Sequence, residues 1–505
     1  MAIAGSRSWL DTLRYTMAAV LGVAAICLVA STTRWPLVWD AQVQHYTHFL
    51  MSRGFAPYRQ IGDMNMPGAY LIEGWAMHVF GGGDLAWRIY DFTLLGALCA
   101  ATIAIALPYD WLAGLFAGVM FALVHTSEGP TNSAQRDEAM TALILIGVAF
   151  LFAAVRRKKP WMMVLFGLCM GMASSIKPTM APMGFALLGM AWWTLRRRGE
   201  AAASYLWCGL AGAGISAAMV FGFLFHYHAA GAFFAISRSI TPYYASINNV
   251  SFARMWRLSL PRVALLMLPF ALVVGVAERQ WRNWERWALL LGVAFGAISY
   301  FGQDKGYAYH RYALVAFLLL WMALELTLAM RREGWTKGVG IAGMALGALV
   351  MAPTYAHRVL LIHPVNQYTE SLEGDLTRLG GERMQRQVQC FDLVDGCFNA
   401  LYHLKLVQNT TSMGDMLYFS PVPSPVVDDA RAQLWKQLAS DPPAVVVLSN
   451  EWFNEPNNFD KIKQWPQFAA WLKANYTIVV SREFYQEEQH AYRIYVRNGA
   501  GLTGG

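Results

Sequence analysis

The sequence predicts an α-helical polytopic membrane protein of about eleven spans, carrying a small C-terminal α/β domain. Three observations predict it. Only 14% of the 505 residues are charged and 56% are hydrophobic, against roughly a quarter charged in ordinary soluble proteins. Apolar runs near the ~20 residues that a bilayer requires recur along residues 1–355. The charge is also divided. Residues 1–353 hold 27 Lys and Arg against 16 Asp and Glu, and residues 354–505 hold 13 against 16. A basic membrane part (1–355) and a mildly acidic tail (356–505) indicate two compartments. This balance excludes a nucleic-acid binder, whose basic residues would gather on one soluble face. The apolar content excludes a disordered chain.

The runs fall at 11–31, 85–107, 111–126, 138–155, 161–176, 178–195, 203–226, 261–277, 287–302, 308–330 and 337–355. The first lacks a small-residue cleavage site and is expected to stay as a span. Orientation follows from the basic loops. Arg156 to Lys159, Arg196 to Arg198, Arg279/Arg282/Arg286 and Arg331/Arg332/Lys337 join Arg7 and Arg14 on one side if the N-terminus is cytoplasmic and eleven segments cross. Residues 67–82 are also apolar and helical in pattern. A crossing there would flip every later basic loop, so this stretch is expected to lie along the outer face. Residues 32–84 then form one large outer loop, and the tail is extracytoplasmic in a multi-pass cell-membrane protein.

In the tail, 444–448 reads as a buried strand, and 476–480 and 492–496 alternate as strands do. Residues 459–474 place Ile462, Trp465, Phe468, Trp471 and Leu472 on one helical stripe. Cys390 and Cys397 are the two cysteines outside the spans. An oxidising compartment favours a disulfide between them.

Ionisable groups gather on the predicted outer face, where a scaffold would have little use for them. The first loop opens with Trp39-Asp40 and continues through His45, His48, Arg53, Arg59 and Asp63. Later outer turns supply Arg136-Asp137-Glu138, Lys177, and the run Lys305 to Arg311, which contains Tyr309 and His310. A carboxylate can take a proton from a hydroxyl nucleophile or hold a metal. Lys and Arg can hold a phosphate as it departs. A sugar carried on a lipid phosphate needs both, with its tail lodged between spans of the bilayer. His45 and His48 lie three apart on a predicted helix, which makes them weak candidates for a divalent metal near Asp40. No other cofactor is expected.

The segment 39–81 resembles the first outer loop of the GT-C glycosyltransferases. It is nearest to bacterial relatives of the protein O-mannosyltransferases and of the aminoarabinose transferase acting on lipid A. Asp40 stands where that family has an acid just after the first span. Gly54-Phe55-Ala56-Pro57-Tyr58 and Pro67-Gly68 match its later loop motifs. QRDEAM resembles its second acidic motif, with Asp137 in the key place, and IKPT and DKGYAYHRY resemble later segments. The resemblance covers about residues 10–350 in layout.

It implies an inverting transferase that moves a hexosyl or pentosyl group from a polyprenyl-phosphate donor to an extracytoplasmic glycolipid, envelope polysaccharide or protein. Asp40 would be the general base, and Asp137 would position the acceptor or a metal. Several relatives carry a Lys before the Pro of the re-entrant turn, touching the donor phosphate, and this chain has Met66. Donor contact then falls to Arg59, Asp63, Lys177, Lys305, Tyr309, His310 and Arg311. Two alternatives stand beside this reading. One is an oligosaccharide ligase or polymerase using a lipid-linked donor. The other is a transporter or lipid flippase, which should show matched halves and midplane charges.

Overall fold

The computed structural model describes residues 3–277, 283–392, 394–452, 455–456, 458–484 and 490–501. The membrane part runs α1 (Ile3–Thr32), α2 (Asp40–Ser52), α3 (Pro67–Phe80), α4 (Asp84–Ala106), α5 (Trp111–Thr126), α6 (Arg136–Arg157), α7 (Met162–Ile176) and α8 (Ala181–Arg197). It continues through α9 (Ala202–His226), α10 (Ala230–Ser246), α11 (Phe252–Leu258), α12 (Arg262–Ala277), α13 (Trp284–Gln303), α14 (Tyr312–Met330), α15 (Trp335–Ala345) and α16 (Ala352–Leu360). Each of the eleven apolar runs is helical. Among the described residues six helices are long and apolar enough to cross a bilayer, and α5 and α7 are shorter apolar helices. α11 and α12 meet at a 78° bend. Arg279 and Arg282 lie outside the described residues.

Local chemistry sets the helix starts. Asp110 caps α5 by accepting from Leu112 N at 3.0 Å, and Asn283 caps α13 by accepting from Glu285 N at 3.0 Å. α14 is apolar around its circumference except at Glu325 and Thr327 and is buried almost throughout, as a central bundle helix must be. α7 and α9 cross at glycines. A Cβ on Gly167 would lie 1.9 Å from the Gly209 carbonyl oxygen, and one on Gly212 would lie 2.0 Å from that of Val164. Small residues let two membrane helices pack backbone to backbone.

Ion pairs tie both ends of the bundle. At one end Asp110 accepts from Arg14 at 2.7 Å and from Arg331 at 3.0 Å, Arg156 meets Glu285, and Arg286 meets Glu325 at 2.5 Å. Arg14, Arg156, Arg286 and Arg331, all from the predicted basic set, therefore have carboxylate partners. Charge pairing holds these helix ends together. At the other end lie Asp40–Arg136, Asp137–Lys177 and Glu128–Arg311.

The tail is an α/β unit built from α17 (Gln367–Leu379), β1 (Val388–Phe391), α18 (Cys397–His403), α19 (Pro425–Ser440), β2 (Val445–Ser449), β3 (Glu451–Trp452), β4 (Glu455–Pro456), α20 (Pro466–Asn475), β5 (Tyr476–Phe484) and β6 (His490–Arg497). Its main sheet has the order β1-β2-β6-β5, with β1 parallel to β2 and the other pairs antiparallel. The three expected strands are β2, β5 and β6. β1 and helices α17 to α19 add to the expectation. The helix expected over 459–474 is a 3-10 turn followed by α20, which Pro466 opens. Cys390 and Cys397 are bonded, with Cα atoms 6.1 Å apart, joining β1 to the start of α18.

α2 belongs to the outer loop in sequence but packs on the tail. Tyr46, Phe49 and Leu50 share a core with Tyr368, Phe398 and Leu406. Tyr46 Oη accepts from Gln408 N at 2.8 Å and donates to Leu406 O at 3.2 Å. This contact closes the site described next.

Candidate active site

Asp40 is the first residue of α2. Trp39 before it has φ 53°, a left-handed conformation that a bulky side chain rarely adopts. Strain of this kind costs about 1–3 kcal/mol and persists where the surroundings fix it, often at functional sites. Here it turns the chain from the end of α1 into α2 and sets the carboxylate at the helix start. Arg136 opens α6 and donates from Nη2 to Asp40 Oδ2 at 3.2 Å.

The two residues line a cavity of about 480 Å³. Tyr58, Arg59, Asp63, Met64 and Asn65 of the outer loop form one wall. Ala235, Ile236, Ser239 and Ile240 of α10 form a second, with Tyr244, Tyr307 and Tyr309 beside it. The tail closes the third with residues 411–414 and 416–418 and one face of α19, including Asp429, Gln433 and Gln437. The outer-loop wall is internally braced. Asp63 accepts from Tyr70 Oη at 2.7 Å and from Asn65 Nδ2 at 2.7 Å, and Tyr58 Oη donates to Asn65 O at 2.5 Å.

Of the residues proposed from sequence, Asp40, Arg59, Asp63 and Tyr309 share this cavity. Tyr309 stacks on Tyr307 with centroids 5.4 Å apart. Asp137 pairs with Lys177, and neither belongs to the cavity wall. Lys305 also lies off the cavity. Its ammonium donates to Tyr244 O at 2.8 Å, to Asn249 Oδ1 at 2.8 Å and to Ile247 O, closing the turn after α10. Arg311 donates to Glu128 and to Leu258 O. His310 packs edge-on against Tyr307 and Tyr309, with ring centroids 5.4 and 4.7 Å away.

His45 and His48 do not converge with Asp40. His45 Nδ1 faces Ala41 O at 2.7 Å, and its ring sits against Trp87 and Tyr402. His48 Nε2 lies 3.9 Å from Glu73 Oε2. Sequence reading missed Arg136 as the partner of Asp40, although it stands beside Asp137 in QRDEAM. It also missed a buried set behind the site, in which His125 Nε2 lies 3.3 Å from Asp91 and 3.6 Å from Glu138. Arg88 meets Asp91 at 2.7 Å and supplies that set with its positive charge.

The course of the chain, from the membrane helices through the tail, matches that of a solved protein along nearly its whole length. The chain has the fold of ArnT. It aligns with the crystal structure of ArnT from Cupriavidus metallidurans in the apo state over 99% of this chain and 100% of that one, with a TM-score of 0.55 and 12% identity. The ArnT structure from the same organism bound to undecaprenyl phosphate aligns over 96% and 98%, with a TM-score of 0.54 and 12% identity. No family model and no curated protein matches the sequence.

Proposed function

We propose that this chain is an integral membrane glycosyltransferase of the GT-C type. It takes a sugar from a polyprenyl-phosphate donor and adds it to an acceptor outside the membrane. The observation that carries this reading is the composition of the cavity. A carboxylate and two guanidinium groups (Asp40, Arg136 and Arg59) meet the apolar strip of α10 at one site. A charged head joined to a long apolar tail has that same division. The ArnT structure bound to undecaprenyl phosphate supports a lipid of this class.

In the proposed reaction an acceptor hydroxyl gives its proton to the Asp40 carboxylate as its oxygen attacks the anomeric carbon. The bond from that carbon to the phosphate oxygen breaks, and the electron pair leaves on polyprenyl phosphate. Attack opposite the leaving group inverts the anomeric centre. Arg59 and Arg136 offer bidentate donors to the growing phosphate charge. The acceptor approaches from the tail side, where Asp429, Gln433 and Gln437 offer hydrogen-bonding groups for sugar hydroxyls. In this reading eleven segments cross the cell membrane, the N-terminus is cytoplasmic, and the outer loop and tail are extracytoplasmic.

Photolabelling tests the donor site. Purified chain in nanodiscs is exposed to a photoreactive polyprenyl phosphate. Labelling at Ile236 and Ile240, displaced by polyprenyl-phosphate sugar, is expected. Labelling spread over the lipid-facing sides of α1 and α9 without displacement would contradict the proposal.

A further inference from the structure

A second group of ionisable residues lies in the tail. His490 Nδ1, at the start of β6, is 3.0 Å from Asp395 Oδ1 and 3.0 Å from Glu451 Oε2. The Asp395 side chain is 0% exposed, and His490 is the one donor near its oxygens and Glu451 Oε2 among the described residues. Buried oxygens served by so few donors are destabilising, and more so when charged. The neighbouring cation does not serve them. Lys461 pairs with Asp415 and donates to Ser449 Oγ at 2.9 Å and to Glu451 O at 2.6 Å. Asp392 adds a further carboxylate, already accepting from the backbone N–H groups of Asp395, Gly396 and Cys397.

We infer that Asp395, Glu451 and His490 bind a divalent transition-metal ion, zinc by preference. One imidazole and two carboxylates suit zinc, which binds nitrogen and oxygen at about 2.0–2.2 Å. Tetrahedral geometry at those lengths sets ligand atoms about 3.4 Å apart, and the three ligand atoms here all lie within 4.8 Å of one another. The ion would staple three separate pieces of chain: the link between β1 and α18, strand β3, and the start of β6. Val394 and Phe398, beside Asp395, line the Asp40 cavity, and Gln42 of α2 donates to Val394 O. The ion would therefore fix part of the cavity wall without touching the reacting groups. This site is separate from Asp40, and its existence does not rest on the transferase reading.

The test uses the full chain in detergent, stripped with chelator and titrated with zinc chloride. Calorimetry should read one equivalent that Glu451→Gln and His490→Gln each weaken at least about tenfold. Zinc should raise the wild-type Tm by more than about 3 °C and leave the variants unmoved. Metal-free variants that melt near metal-free wild type show that folding is intact. If His490→Gln fails to fold, Glu451→Gln decides alone. No zinc uptake by wild type, or uptake unchanged in Glu451→Gln but lost in Glu138→Gln, would overturn the site. The His490 imidazolium between two carboxylates would then be the whole arrangement.

Discussion

Asp40 and Arg136 are 96 residues apart in sequence and 3.2 Å apart in the fold. Each is expected to matter in a different way. Asp40→Asn keeps the size of the side chain and removes the base, so transfer should fall by roughly 10²–10⁴-fold with the fold retained. Circular dichroism and a transfer assay on the same sample check both halves of that statement. Arg136→Gln removes the cation beside Asp40 and should also weaken competition by polyprenyl phosphate. His45 carries a pH prediction. Burial, helped by His48, lowers it from 6.5 to about 4, against the hydrogen bond to Ala41 O that raises it. Above about pH 6.5 it is neutral folded or unfolded and contributes nothing. As pH falls from 6.5 towards 4 the unfolded chain takes up a proton that the folded one refuses. Stability should therefore fall, by on the order of 3 kcal/mol at most. Melting at pH 7.5 and pH 5 should show a larger drop in wild type than in His45→Gln.

At the scale of elements, the membrane helices were legible because length and hydropathy report them directly. Pro67-Gly68 was legible as a turn into a helix, but its packing was not. A Cβ on Gly68 would lie 2.1 Å from Ser175 Oγ and 2.6 Å from the Ser175 carbonyl carbon, so α3 starts hard against the end of α7. Gly68→Ala should cost about 1–3 kcal/mol and lower the Tm. Removing the hydroxyl with Ser175→Ala should not restore it, because the backbone contact remains. β1 escapes a sequence reading because Val388-Gln389-Cys390-Phe391 is short and carries Gln389, a polar residue whose side-chain Oε1 accepts from Thr410 Oγ1 at 2.7 Å. Lys305 looks like a phosphate ligand in the sequence because a sequence shows a cation and not the carbonyls folded around it. Asp40 was legible from its place after the first span. Its guanidinium partner depends on a long-range contact that no local pattern encodes.

For the whole molecule, transfer on the outer face requires α1 to begin in the cytoplasm and the tail to end outside. A phosphatase fused after the tail should be active and a fluorescent protein there dark, and the reverse would contradict an odd number of crossings. The cavity needs every layer, since its walls come from the outer loop, from α10 and from the tail. Its opening between those layers is what the account uses to join a membrane lipid to an acceptor in solution. The most direct test of that use is turnover. Purified chain is given a panel of polyprenyl-phosphate sugars and a crude envelope acceptor fraction, and released polyprenyl phosphate is measured beside labelled acceptor. The account predicts that wild type produces both in equal amounts and that folded Asp40→Asn produces neither. Full activity in Asp40→Asn, or no consumption of any donor by a folded wild type across the panel, would contradict it.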